Sequence, residues 1–455
     1  MGTRASTDRS VSFDADVTKA APVHKILGVR LPQRSVSRFW DITISNGLIY
    51  SIEPHTAESL ATRDCPGVLD ASGRLLAPSL CHAHIHLDKC FLLQDSKYAD
   101  LEIISGDFSE AMRLTGQAKA RFREDDLLRR GRQLIEESIS FGVTSMRAFV
   151  EVDGQVNFRC LHAGLQLKSE FVERCSIQIC AFAQLPLFSG EDGGEEIRVL
   201  MIEAAQTEGV DVVGSTPYVE TEVSKCKQNM RWISSLAIAN DKMLDLHMDY
   251  HLDDQKEPMI WSALQTIKER GWNERGGKGI CMGHCTRFTL FESDEWERLR
   301  DECRSLPVSF VGLPTSDLFI IRPAPGARGT LPITALIRDF DLNAAIAVNN
   351  VGNAFTPHGS CDPLAVACLG VGVYHAVTKA DAELLYECVS IRAKTLIGEE
   401  QTASGSLELS VGDPADFVIF DRDDHGWRNR KSIAEAVYDA GNSRQTIRRG
   451  KITNP

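Results

Sequence analysis

The stretch Ala77–Lys89, APSLCHAHIHLDK, sets three histidines in alternation at the end of an apolar run: His82, His84 and His86. A strand carries every second side chain on one face, so a strand here predicts three imidazoles on one side. As cations they would repel one another and compete for the same space unless something binds them neutral. A transition metal ion is the usual reason for such a cluster, and it leaves the remaining ligands to be supplied elsewhere.

The same apolar character returns at regular intervals. With 76–87 as the first segment, strand-like runs follow at 142–150, 177–184, 211–216, 243–249, 278–285, 307–314 and 344–350. Between them lie stretches with helical periodicity, among them DDLLRRGRQLIEESIS, EEIRVLMIEAAQTEG, KQNMRWISSLAIAND and SDEWERLRDECRS. Strands alternating with helices in this way predict a (β/α)8 barrel, closed by a last helix around 381–398. No strand is followed by a Gly-rich phosphate loop, which argues against a doubly wound nucleotide-binding sheet. Residues 88–124 form a long insertion after the first strand, suited to a lid or wall over a pocket.

Both ends of the chain read differently. DITISNGLIYSIEP and GVLDASGRLLAP within 41–78 are short alternating segments with turn signals at Asn46-Gly47 and Ser72-Gly73. LELSVGDPADFVIFD (407–421) and SRQTIRRGKI (443–452) have the same character. Such pieces cannot stand alone, so they predict one small β-sandwich built from both ends, over 23–76 and 401–455. The barrel then occupies 77–400, and residues 1–22 form a loosely ordered tail.

Sixty-three acidic residues against fifty basic ones give a formal charge of -13, and no basic patch gathers. That argues against nucleic acid as a partner. No apolar run is long enough to cross a bilayer, and the first residues lack a signal-peptide core. The Met-Gly start, with Ser6 in place, is too weak a pattern to read as a lipidation signal. The thirteen cysteines are scattered, mostly in apolar runs, and read as reduced thiols of a cytoplasmic protein. Cys281 and Cys285 flank His284, but their spacing has no matching second pair, so they read as core thiols.

Polar residues fall where a barrel enzyme assembles its site, at the C-terminal ends of strands. His84 and His86 end the first strand, Gln184 the third, and His247 with Asp249 the fifth. His284 ends the sixth, Asp317 follows the seventh, and Asn349 with Asn350 ends the eighth.

On these residues the chain resembles the cytosine deaminase-like branch of the amidohydrolase superfamily, the metal-dependent hydrolases. The motifs are PSLCHAHIHLDK, GVTSMRAFV, AFAQ (181–184), DVVGSTPYVE (211–220), DLHMD (245–249), GHCTR (283–287), VNNVGNAFTPHG (348–359) and the terminal LSVGDPADFVIFD. The resemblance spans roughly residues 40–452. It implies a distorted TIM barrel with a returning β-sandwich, one divalent ion (zinc or iron), and hydrolysis of a C–N bond in a small polar heterocycle or amide. Several members of the family are oligomers.

By position, the resemblance implies His84, His86 and His247 as metal ligands. It implies His284 as the group that orients water or polarises substrate, and Gln184, with Asn349 and Asn350, as substrate contacts. Two positions depart from the family. Asn349 stands where it has a metal-binding aspartate, and Tyr250 stands where deaminases have a proton-shuttling glutamate. Asp249, Tyr250, His251 and Asp317 are then the candidates for the missing proton transfer, with Asp253 close by in sequence. The alternatives are a barrel that only binds a ligand or partner, and a lyase or isomerase in which Tyr250 acts as an acid.

Overall fold

The computed structural model describes residues 21–274, 278–321, 329–399, 405–421 and 429–454. At its centre lies an eight-stranded parallel sheet whose order follows the chain. Its strands are β1 (Leu80–His86), β2 (Val143–Glu151), β3 (Ser176–Ala183), β4 (Val210–Ser215), β5 (Met243–Met248), β6 (Ile280–His284), β7 (Val308–Gly312) and β8 (Ala344–Ile346). Each falls within or within one residue of its expected run. The reason is burial on both faces: every residue of β1 and β2 is buried, so the strands read as near-continuous apolar runs.

The barrel closes through one residue. Ile85 of β1 pairs with Asn349, with His86 N–H donating to the Asn349 carbonyl at 2.8 Å and Asn349 N–H to that of His84 at 3.2 Å. The eighth strand is therefore shorter than the 344–350 run, and its last residues bend across to β1. The helix expected over 381–398 is two, Lys379–Cys388 and Ile391–Ile397. They break at Val389, whose carbonyl accepts from the Cys81 N–H of β1 at 2.9 Å instead of continuing a helical ladder.

The chain ends build two further sheets. One is five-stranded, running Ala21–Pro22, Lys451–Ile452, Arg444–Arg448, Phe417–Phe420 and Leu75–Pro78. The other is four-stranded, running Leu48–Pro54, Trp40–Ser45, Lys25–Val29 and Val68–Asp70. The Asn46-Gly47 turn has φ of 52° and 75°, the left-handed pair that a two-residue hairpin needs. The Ser72-Gly73 turn instead carries the chain from one sheet to the other. Ile26, Ile42, Ile49, Leu76, Phe417, Ile419 and Ile447 form the core between the sheets. Strand alternation makes the same strands serve the barrel, for Leu75, Ala77, Val418 and Phe420 point into its main core. The expected division at residue 76 falls inside the strand Leu75–Pro78. Residues 21 and 22, expected in the tail, pair with Lys451–Ile452; the rest of that tail, residues 1–20, lies outside the described residues.

One buried ion pair ties sandwich to barrel. Arg444 donates to both oxygens of Asp362, at 2.8 and 2.6 Å, and to the Phe141 carbonyl at 2.8 Å. Asp362 also caps the helix Pro363–Val373 through the Leu364 N–H. Removing one partner strands the other charge in the interior, so Asp362→Ala should cost about 3–5 kcal/mol. A fall in the urea midpoint of that size checks it, whereas a surface pair would shift it little.

Candidate metal centre

His84, His86 and His247 are buried, and each offers a ring nitrogen within 4.8 Å of the other two. His84 lies on Phe149, ring centroids 4.0 Å apart, and His247 on Phe182 at 4.3 Å. Room for the pair comes from β6: a Cβ built on Gly283 would stand 3.3 Å from His84 Cε1 and 3.7 Å from His247 Cδ2. Burial, and then the neighbouring charges of His284, Arg147 and Lys89, hold His84 well below the ordinary imidazole range. Burial does the same for His86 and His247, reinforced by Lys89 in one case and His84 in the other. The rings are therefore neutral at neutral pH, the form a metal requires.

Both nitrogens of His84, Nδ1 of His86 and Nε2 of His247 have no hydrogen-bond partner in the protein. Buried polar atoms are normally satisfied, each exception costing roughly 1–3 kcal/mol. One nitrogen from each ring makes a three-nitrogen donor set for a divalent ion. His82 does not join them. Its Nε2 lies 3.1 Å from the Ser138 hydroxyl of the helix Glu124–Ser140. The pairing of β1 with β2 slips between His82 and Ile85, so strict alternation fails where it was expected to put all three rings on one side.

The cavity beside the imidazoles is lined by His86, Lys89, Phe108, Gln184, Tyr218, His247, Tyr250, His284, Asn349, Asn350 and Phe355. Its free volume is about 10 Å³, room for about one water. Phe108, at the start of the helix Phe108–Lys119 in the long insertion, lies 5.9 Å from each of Tyr218, Tyr250 and Phe355. The insertion thus forms the wall that its place in the sequence suggested, and this aromatic roof has to shift before a ring can enter.

His284 enters the cavity from β6, its Nδ1–H donating to Asp317 Oδ1 at 2.8 Å. Burial pushes the Asp317 carboxyl up, while the bonds from His284, Thr330 and Leu313 oppose that. Asp317 therefore sits behind His284, off the cavity wall, and leaves Nε2 facing inward. Tyr250 lies over His284 with ring centroids 3.8 Å apart, and burial drives its phenol well above the usual range. Asn349 donates through Nδ2 to the Ser316 hydroxyl at 2.8 Å, while its Oδ1 is unpartnered. Asn350 Oδ1 accepts from Asn353 Nδ2 at 2.8 Å.

Besides Asp317, two further candidates from the sequence do not reach the cavity. Asp249 turns away at φ 46°, and its oxygens accept from the Met259 and Ile260 N–H groups at 2.9 and 3.1 Å, at the start of the helix Ile260–Glu269. Burial raises it to about 6 in spite of those bonds. His251 is half-buried, its Nδ1 accepting from the Asp253 N–H at 3.2 Å. Burial lowers it to about 4.

Conversely, Lys89 reaches the cavity although the sequence reading gave it no role. Its Nζ donates to Glu151 Oε1 at 2.8 Å and to Gln184 Oε1 at 3.3 Å. Burial alone would push Glu151 up, but Lys119 and Lys89 outweigh it and hold the carboxyl at about 2. Lys119 bonds the other oxygen at 2.5 Å and also pairs with Asp153. A lysine directly after the histidine strand was the available signal. His284 and Asn349, both with φ of 67°, are held in the left-handed region at strand ends, where strain concentrates at functional sites.

No family model matches the chain. It is 23% identical over 391 residues, 84% of its length and 87% of the relative's, to N-isopropylammelide isopropyl amidohydrolase of Pseudomonas sp. (strain ADP). Among solved structures it is similar to 5-methylcytosine deaminase from Klebsiella pneumoniae liganded with 5-fluorocytosine. That match has a TM-score of 0.79 and 23% identity over 94% of this chain and 96% of the other. It is also similar to N-isopropylammelide isopropylaminohydrolase from Burkholderia multivorans, with a TM-score of 0.73 and 20% identity over 94% and 97% of the two chains. At these identities the likeness is one of fold, a (β/α)8 barrel flanked by β-sheets from the chain ends. Among the described residues no helix is long and apolar enough to cross a membrane.

The Gly283 clearance provides a test of the cluster. Gly283→Ala should leave the fold intact and weaken zinc binding by roughly 10–100-fold, the cost of disturbing a ligand's support. Competition with a chromophoric chelator measures it, with circular dichroism as the control.

Proposed function

We propose that this chain is a metal-dependent hydrolase that cleaves a C–N bond of a small nitrogen heterocycle, by deamination or by amide or ring hydrolysis. The observation that carries this reading is the set of buried, unpartnered imidazoles at the C-terminal mouth of the barrel. His84, His86 and His247 would hold one divalent ion, zinc or iron, both of which imidazole suits. Such an ion supplies Lewis-acid polarisation of the bond to be cut and activation of water.

The remaining steps belong to the chain. His284 Nε2 accepts a proton from the attacking water and returns it to the departing nitrogen. Asp317 fixes the ring's tautomer and stabilises the imidazolium between those events. Gln184 and Asn350 orient the substrate ring, and Tyr250, whose hydroxyl donates weakly to the Ser316 carbonyl at 3.4 Å, would turn that hydrogen to the substrate. The family aspartate and glutamate are replaced here by Asn349 and Tyr250. Proton transfer then rests on His284, because Asp249 and His251 are engaged elsewhere. Phe108, Tyr218 and Phe355 exclude bulk water.

The absence of any carboxylate from the cavity wall among the described residues favours a second reading. In it the barrel keeps the ion but performs no water attack, and binds a ligand or catalyses a lyase or isomerase step with Tyr250 as the acid.

Release of ammonia or amine from amino-substituted pyrimidines and triazines by the zinc-loaded protein separates the two readings. Activity should vanish with the metal in His84→Ala, and His284→Gln should lower kcat by roughly 10²–10⁴ with zinc retained. Asn349→Asp should alter existing activity; if it creates activity where the native chain has none, the second reading stands.

A further inference from the structure

The polar atoms facing the cavity are mostly hydrogen-bond donors. Lys89 is buried against the wall, with Nζ 4.9 Å from the centre of the Phe355 ring. An ammonium has three N–H groups. Glu151 takes one at 2.8 Å and Gln184 another, weakly, at 3.3 Å, which leaves the third for the cavity. Because Gln184 turns its Oε1 to Lys89, its buried amide nitrogen faces the other way, with one N–H toward the Tyr218 hydroxyl and the second left for the cavity. Asn350 likewise commits its oxygen to Asn353 and keeps its NH₂ free. The acceptors, Asn349 Oδ1 and His284 Nε2, lie on the imidazole side, with Asn349 beside His84.

The charges point the same way. Both oxygens of Glu151 are taken by Lys89 and Lys119, and no carboxylate lines the cavity among the described residues. A divalent ion on three neutral imidazoles adds positive charge that nothing on the wall offsets. A neutral aminopyrimidine would leave the Lys89 ammonium facing a ring with little negative charge to give it. An anion would gain a charge-assisted bond there, the stronger kind.

We infer that the pocket selects an anionic substrate, a small oxo-heterocycle ionised at neutral pH, with its negative oxygen held by Lys89 Nζ and Gln184 Nε2. This rests on the hydrolase reading only in taking the same cavity as the substrate site. Lys89 is then a specificity residue.

Barbiturate, ionised at neutral pH, and uracil, a neutral ring of the same size, are suitable probes. Their affinities are measured by calorimetry at pH 7.5 with zinc-loaded and with chelator-treated protein. Barbiturate should bind at least about tenfold more tightly than uracil in both forms. Lys89→Met should bring the ratio close to one and Lys89→Arg should restore it. Gln184→Glu, which sets a carboxylate on the same wall, should also abolish the preference, and it carries the test if Lys89→Met does not fold. Equal affinities in the native protein overturn the inference. So does a preference that survives both Lys89→Met and Gln184→Glu, or one present only with zinc, which would assign the anion to the metal. A preference in protein that binds no zinc supports the inference while removing the hydrolase reading.

Discussion

Three buried imidazoles, each presenting a ring nitrogen to the same point, are the constraint around which this molecule is arranged. Interior polar atoms are costly when unmet, and folded chains seldom tolerate several together. This one does, and its other features serve that cluster. Phe149 and Phe182 support the rings from beneath, Gly283 yields the space that a side chain would fill, and burial keeps the imidazoles unprotonated. An ion arriving there would relieve a cost already present in the fold. Ligand binding to the native form alone stabilises it by linkage.

Around that cluster the polar groups divide by role. Asp317 works through His284, Glu151 through Lys89, and Ser316 through Asn349. In each case a buried partner fixes the group that meets the cavity, so the wall is stiff even though it is built from separate strands. The roof is different in kind. Phe108 comes from the insertion, and its ring contacts with Tyr218, Tyr250 and Phe355 are non-directional, so they can open without leaving a hydrogen bond unmet. Rigid chemistry beneath a yielding cover suits a site that must close over a small molecule.

The barrel could be read from the amino acids because strands buried on both faces leave long apolar runs, and β1 to β8 coincide with them. The histidine cluster was legible through the family resemblance, because strand alternation alone left His82, His84 and His86 equivalent and did not single out His247. Where the reading failed, local backbone geometry decided. A slip in the pairing of β1 sends His82 toward Ser138, and a left-handed residue turns Asp249 onto a helix end. Neither has a signature in residue type. Lys89 escaped notice because a lysine in a loop is ordinarily solvated, and only the fold shows Glu151 and Gln184 closing around it.

The closure of the barrel at Asn349 has a consequence for how such sites diverge. The main chain of this residue is locked to His84 and His86 on either side of Ile85 by the ring of strands itself. Its position is thus set by the scaffold and not by what its side chain carries. An amide and a carboxylate are nearly the same shape, so exchanging one for the other would change the charge beside His84 by a full unit and move almost nothing. Evolution could retune the electric field of this centre at that point while leaving the architecture untouched.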